Sequence, residues 1–447
     1  MSGIAGISRS GSRELVGRML SRMAHRGPAG SEVLEADGAT LGVAWTRLQA
    51  NAPLALRQDW GARDGSGDGH LAQAQLISAG LTLKRDELGV APLYYGRTDD
   101  GALCFASEVK AMLEVTRDVH EFPPGHHYDG ARLQRYFELS KQPTLRDSAE
   151  EIARELRRRL ETSVQQRLGS EEVGCWLSGG LDSSTMAALV RPNVSTLHTF
   201  AAGVQDAPDL EYARVVADFI GAEHHEAIVC FEDMLQALPD VIYHLESFDA
   251  LLVRSSITNY AVARLASDYV PAVFSGEGGD ELFAGYEYIK SLDPARLPDE
   301  LIDITSRLHN TALQRVDRCA AAHGIVAHVG FLDPDVVDYA LRIPPEFKLR
   351  DGVEKWILRR AMDGALPGQV LNRPKAKFWE GAGVGEQMAH YADEHITDSA
   401  LGRERSLPNG WTLNSKEELL YYRLFHQYFD VRDLSWMGRT KGAPVQP

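Results

Sequence analysis

Val173-Gly174-Cys175-Trp176-Leu177-Ser178-Gly179-Gly180-Leu181-Asp182-Ser183-Ser184 is the stretch on which the reading of this chain turns. Its first five residues form a short apolar run typical of a buried strand, and Ser183 to Val190 reads as a helix. Between them, the adjacent Gly179 and Gly180 let the backbone turn tightly with its N–H groups pointing inward. The helix start adds free N–H donors and the positive end of a dipole, so an anion is favoured there. The hydroxyls of Ser178, Ser183 and Ser184 can supplement those bonds, and Asp182 can hold Mg²⁺ beside phosphates. The Gly-Lys-Ser/Thr of a Walker loop is missing.

Outward from this loop the pattern alternates. Ser148 to Leu168 reads as a long charged helix with a serine cap. Thr196 to Gly203 and Ala227 to Cys230 read as strands, with Leu210 to Ile220 helical between them. Ser256 to Asp268 reads as a helix leading into the strand Pro271 to Phe274. Such alternation predicts a parallel sheet covered by helices on both faces, followed over about residues 300–430 by a mostly helical part. The strand ending at Phe274 empties into Ser275-Gly276-Glu277-Gly278-Gly279-Asp280-Glu281-Leu282-Phe283-Ala284-Gly285-Tyr286. Three acids interleaved with glycines then lie at a C-terminal strand end, where open parallel sheets bind ligands. Asp280 can share Mg²⁺ with Asp182, and Glu277 can take a proton from an attacking nitrogen. An isolated acidic loop of this kind would more simply cap a helix; its pairing with the serine-glycine loop favours chemistry.

Upstream, residues 1–130 are rich in glycine and short apolar runs. Gly3 to Ile7, Leu41 to Trp45 and Leu103 to Ala106 read as strands, and Gly11 to Ala24 as a helix with Leu15, Met19, Leu20 and Met23 on one face. Residues 61–69 read as a low-complexity loop, and residues 121–147 as a linker. The resulting division is a first domain over 1–130, a linker over 131–147 and a second domain over 148–447, as a chain of 447 residues leads one to expect. A net charge of −16 without a basic run excludes a duplex-binding role, so no nucleic-acid partner is expected. Cys104, Cys175, Cys230 and Cys319 are too scattered for a zinc site or a disulfide framework. No apolar run approaches the roughly 18–20 residues that span a bilayer, and the N-terminus lacks a signal-peptide layout. The expectation is a cytoplasmic protein without a membrane partner.

The lysine-free loop resembles the pyrophosphate loop of enzymes that split ATP into AMP and pyrophosphate. Together with the acidic loop it resembles the synthetase half of the class B asparagine synthetase family, which includes β-lactam synthetases and lasso-peptide cyclases. Upstream, Gly3-Ile4-Ala5-Gly6, His25-Arg26-Gly27-Pro28, Arg85-Asp86 and Phe105-Ala106-Ser107-Glu108-Val109-Lys110 resemble its glutaminase half. Downstream, Arg315-Val316-Asp317-Arg318, Phe331-Leu332-Asp333, Arg373-Pro374-Lys375 and Phe378-Trp379-Glu380-Gly381 extend the likeness over nearly the whole chain. The resemblance implies a truncated sandwich like that of N-terminal-nucleophile hydrolases (α+β), followed by an α/β ATP-pyrophosphatase domain with a helical C-terminal part. It implies that ATP and Mg²⁺ are used to adenylate a carboxylate, which a nitrogen nucleophile then attacks. By position, Ser178, Gly179, Gly180, Asp182, Ser183 and Ser184 hold pyrophosphate, and Ser275 and Gly276 lie near AMP. Asp182 and Asp280 hold the metal, Glu277 is the base, and Lys375 neutralises phosphate charge. Arg254 and Glu281 face the acceptor substrate, for which arginine's bidentate fork suits a carboxylate.

Two departures shape the expected function. The family's glutaminases begin Met-Cys-Gly, whereas Ser2 occupies the nucleophile position here, and a serine hydroxyl is far less acidic than a thiol. The family's Asn-Gly-Glu segment also finds no counterpart between Leu54 and Lys84. In the acceptor region, Leu251 and Leu252 stand where threonines are usual, and Ala327-His328-Val329-Gly330-Phe331 replaces Ala-Arg-Val-Pro-Phe. The leading expectation is a glutamine-independent amide ligase acting on aspartate or a related small acid, with ammonia or a small amine as nucleophile. Its first domain is then a shell over the synthetase half or a homodimer contact. Intramolecular ring closure, as in the β-lactam and lasso branches, and a catalytically silent scaffold are the alternatives.

Overall fold

The computed structural model describes residues 2–49, 56, 61–65, 69–78, 80–169, 173–374, 381–383, 387–431 and 433–440. Its N-terminal part is a sandwich of two antiparallel sheets. The first runs, in spatial order, Gly30–Ala36, Ala39–Trp45, Gly3–Ile7, Leu103–Ala106, Tyr94–Arg97 and His120–Glu121. The second runs Leu133–Arg135, His126–Tyr128, Gly80–Arg85, Leu71–Ile77 and Gly61–Gly65. Strand alternation explains the packing: Ile4, Leu41 and Val43 point into one core with Ala62, Ala72, Ala74, Leu81 and Leu83 of the facing sheet. Ala5 and Ile7 point the other way, onto Val16, Met19 and Leu20 of the helix Arg13–Arg22.

The third sheet has the order Glu223–Ile228, His198–Gly203, Gly174–Trp176, Ala272–Phe274, Val326–His328, and every pairing in it is parallel. Helices Ala149–Arg167, Leu181–Val190, Pro208–Ile220, Ala250–Ser267 and Ala312–Ala322 accompany it, and most of the remaining described chain is helical. Helix Ala149–Arg167 starts on a capping box: Ser148 Oγ accepts from the Glu151 amide, and the Glu151 carboxylate accepts from the Ser148 amide at 2.9 Å. The expected α+β sandwich followed by an α/β parallel sheet is the fold observed.

Several local expectations are corrected. Residues 61–65, read as a loop, form the edge strand of the second sheet with Ala62 and Asp64 buried; the glycines obscured a period of two. Leu133–Arg135, read as linker, pairs with His126–Tyr128 across a turn in which Asp129 accepts from the amides of Ala131 and Arg132. The strand placed at Ala227 to Cys230 lies earlier, at Glu223–Ile228. It is the open edge of the sheet, so polar residues replace the apolar run that would have marked it. Among the described residues, no helix is long and apolar enough to cross a membrane.

Candidate active site

The strand Gly174–Trp176 releases the chain into the loop that precedes helix Leu181–Val190. Gly179 takes a φ of 67°, and a Cβ there would lie 2.4 Å from the Tyr212 Cβ, so a side chain is excluded on both counts. The serines close the loop. Ser183 Oγ accepts from the Ser178 amide at 3.2 Å, donates to the Gly180 carbonyl at 3.2 Å and lies 3.1 Å from Ser178 Oγ. Ser184 is fully buried in the first helical turn and does not line the cleft.

The acidic loop packs directly on this one. A Cβ on Gly276 would meet the Ser183 amide nitrogen at 2.7 Å, and one on Gly279 would meet Asp182 Cγ at 2.5 Å. These glycines therefore permit contact between loops, which makes the two motifs one unit. Ser275 is anchored through its amide to the His328 carbonyl at 2.8 Å.

At the junction stands a residue that sequence reasoning missed. Lys355 Nζ lies 2.5 Å from Asp182 Oδ2 and 2.5 Å from Asp280 Oδ1. Lys355 is 2% exposed and sits at a φ of 56° at the start of the helix Trp356–Ala361, with its amide bound to the Phe283 carbonyl at 3.1 Å. The strained backbone and the two carboxylates together aim its ammonium at one point. Two carboxylates that converge on one cation, in a setting of hard oxygen donors, also suit Mg²⁺. Ser178, Gly180, Asp182, Ser183, Lys355 and Arg373 line a cleft of about 70 Å³. Arg373 is fixed there by Asp209 and by stacking over the Tyr212 ring at 4.0 Å. Only the positive φ and the following helix mark Lys355, and neither is visible in Gly352-Val353-Glu354-Lys355-Trp356 as a sequence.

The other expected site residues fall as follows. Glu277 lies 2.5 Å from the Arg315 guanidinium. Glu281 is 3% exposed and accepts from the Tyr286 hydroxyl; burial, then the neighbouring Asp280 charge, pushes its carboxyl up to about 7. Arg254 does not line the cleft but grips Glu417 of the helix Lys416–Tyr428, whose carboxylate also accepts from the Tyr421 hydroxyl at 2.8 Å. Lys375 lies outside the described residues.

Ser2 is fully buried. Its hydroxyl donates to the Arg63 carbonyl at 3.0 Å, and Asp64 Oδ1 is 3.5 Å away. So Arg63 and Asp64 of the unforeseen strand occupy the space beside the nucleophile position. Asp64 belongs to a buried charge cluster that joins the two halves of the chain, with the cations Arg26, Lys110 and Arg318 and the carboxylates Asp64, Glu108, Glu246 and Asp317. Burial pushes Asp64 up to about 6, while Glu108, which also meets His25 at 3.1 Å, and Asp317 are held low by their cationic neighbours. Between its ordinary value of 3.8 and about 6, the folded chain keeps a proton that the unfolded chain releases. Stability from this group is therefore full at low pH and lost as pH rises through that window. In urea titrations, subtracting the Asp64→Asn curve from wild type should expose this loss; parallel curves would refute it.

With this geometry in view, comparisons with known proteins place the chain. The family profile described as Asparagine synthase matches residues 155–302 and 296–434, and that described as Glutamine amidotransferase domain matches residues 74–162. The chain is 35% identical over 370 residues to "Asparagine synthetase [glutamine-hydrolyzing] 2" of Lotus japonicus, covering 77% of this chain and 63% of that protein. It is 34% identical over 373 residues to "Asparagine synthetase B [glutamine-hydrolyzing]" of Escherichia coli (strain K12), covering 78% and 67%. A solved NMN synthetase from Francisella tularensis covers 66% of this chain and all of its own at 13% identity, but its TM-score of 0.30 carries no argument. The chain belongs to the asparagine synthase family. It spans about 63% of the length of the Lotus japonicus relative, and the amidotransferase match leaves Ser2 and Asp64 outside it.

Proposed function

We propose that this chain is an ATP-dependent, AMP- and pyrophosphate-forming amide ligase. It adenylates aspartate or a related small acid and passes ammonia or another small amine to it without hydrolysing glutamine. The observation that carries the ligase reading is the convergence of Asp182, Asp280 and Lys355 at the mouth of the serine-glycine loop. First-turn amides of the helix Leu181–Val190 and the hydroxyls of Ser178 and Ser183 bind the β- and γ-phosphates. Asp182 and Asp280 would hold Mg²⁺, which neutralises charge as pyrophosphate departs. The acceptor carboxylate attacks the α-phosphorus, and pyrophosphate leaves. The amine then attacks the acyl carbon, AMP leaves, and Glu277, oriented by Arg315, takes the proton released from nitrogen. Lys355, and by its sequence position Lys375, supply fixed positive charge to both departures.

The glutamine-free reading rests on Asp64. A buried carboxyl within reach of the Ser2 hydroxyl, ionised at neutral pH, repels the oxyanion that amide hydrolysis must form there. The test is pyrophosphate release from ATP and Mg²⁺ with aspartate, supplying ammonium or glutamine in parallel. Release is expected with ammonium and not with glutamine, and Ser2→Ala should leave the ammonium-driven rate unchanged. Glutamine-driven release that Ser2→Ala abolishes would overturn the proposal.

A further inference from the structure

We infer that this chain carries a second metal site, for one ion of the zinc class, on the open edge of the parallel sheet. Its ligands are His198, Glu223 and His225. Strand register brings them together: His198 is the Cα partner of Glu223, and His225 follows two residues later, on the same face. His198 Nδ1 lies 3.1 Å from His225 Nε2 and 3.5 Å from Glu223 Oε2, and all three ligand atoms lie within 4.8 Å of one another. Zinc–ligand bonds of about 2.0–2.1 Å in tetrahedral geometry put donor atoms about 3.3 Å apart, between those two separations.

The donors are also chemically ready. Two imidazole nitrogens facing each other share one proton at most, so at least one is a lone-pair donor without a metal. Aromatic rings fix the imidazole planes: Phe200 stacks on His225 at 5.2 Å, and Tyr269 lies 4.0 Å from it and 5.7 Å from His198. Two imidazoles and a carboxylate select a transition ion over Mg²⁺, and they leave a fourth position open to solvent. The site is distinct from the nucleotide cleft. It sits where the strands His198–Gly203 and Glu223–Ile228 begin, whereas the cleft lies where the parallel strands end. A strand of this length separates the two by about 17 Å.

The test is calorimetric titration of the full chain with Zn²⁺, with excess Mg²⁺ present to occupy Asp182 and Asp280. One Zn²⁺ per chain is expected, and Zn²⁺ should raise the melting midpoint. His198→Ala and His225→Gln should each weaken binding at least about tenfold, the scale on which even the partners of ligands count. His224→Ala is the control: His224 points to the opposite face, where it bonds Thr199 at 2.9 Å, so binding should persist. Equal melting of all variants in chelator establishes that they fold. Zn²⁺ binding that survives His198→Ala/His225→Gln, or that His224→Ala weakens equally, would overturn the site.

Discussion

Lys355→Met lowers pyrophosphate formation by about 10²–10³-fold, the usual effect of removing one fixed charge aimed at a developing anion. The side chain is nearly isosteric, so packing around a residue that is 2% exposed is retained while the charge is lost. What remains is Asp182 and Asp280 converging on a point that no ammonium occupies. Two carboxylates in that arrangement repel each other and draw in a divalent ion more strongly, so the Mg²⁺ concentration for half-maximal rate should fall as the maximal rate falls. A merely structural lysine predicts neither the opposite movement of metal affinity and rate nor partial rescue by Lys355→Arg. The comparison set is Asp182→Ala and Asp280→Ala, which should abolish release at any Mg²⁺ concentration. A Lys355→Met enzyme within tenfold of wild type, with an unchanged Mg²⁺ requirement, would refute the assignment.

The contrast between Lys355 and the loops it joins shows what kind of feature a sequence reveals. Ser178 to Ser184 and Ser275 to Tyr286 are legible because their chemistry is local: a turn, a helix start and side chains within a few residues. The parallel sheet is legible for the same reason, since buried strands and helices alternate along the chain. Lys355 acts through partners 173 residues away at Asp182 and 75 away at Asp280, and nothing near it in sequence marks the meeting. Asp64 was hidden differently. Its neighbours Gly61 and Gly65 suggest a loop, and only pairing with Leu71–Ile77 turns that segment into a buried strand beside Ser2. Arg254 was legible as an arginine suited to a carboxylate, and it does hold one; the partner is Glu417 of its own chain, a choice no spacing could indicate. At the sheet edge, Glu223-His224-His225-Glu226 looks polar and loop-like, yet this alternation puts Glu223 and His225 on one face.

Arg26→Met should destabilise the chain by about 3–5 kcal/mol, because it strands buried carboxylates without a counter-charge. Arg26 is fully buried, and its guanidinium binds both Asp317 oxygens at 2.9 Å, Glu108 at 2.9 Å and Asp64 at 3.2 Å, while Nε donates to the Ser2 carbonyl at 2.9 Å. A loss of that size is a large part of the roughly 5–15 kcal/mol that holds a folded protein together. The position gives it reach beyond the N-terminal half. Asp317 lies on the helix Ala312–Ala322, whose Arg318 binds Glu108 at 3.1 Å and Glu246 at 3.0 Å and whose Arg315 holds Glu277. One helix therefore carries both the partners of the N-terminal cluster and the arginine that orients the proposed base. Arg26→Met should lower the urea midpoint of the whole chain and reduce ammonium-driven turnover together, although Arg26 is no part of the nucleotide cleft. Asp317→Asn keeps hydrogen-bonding atoms in place and leaves Arg26 the carboxylates of Asp64 and Glu108, so its loss should be much smaller. In a double-mutant cycle the two substitutions should then couple, with Asp317→Asn costing less once Arg26 is gone. Additive losses, or an Arg26→Met midpoint shift worth under about 1 kcal/mol, would show that the two halves are held by apolar packing and that the charges between them are incidental.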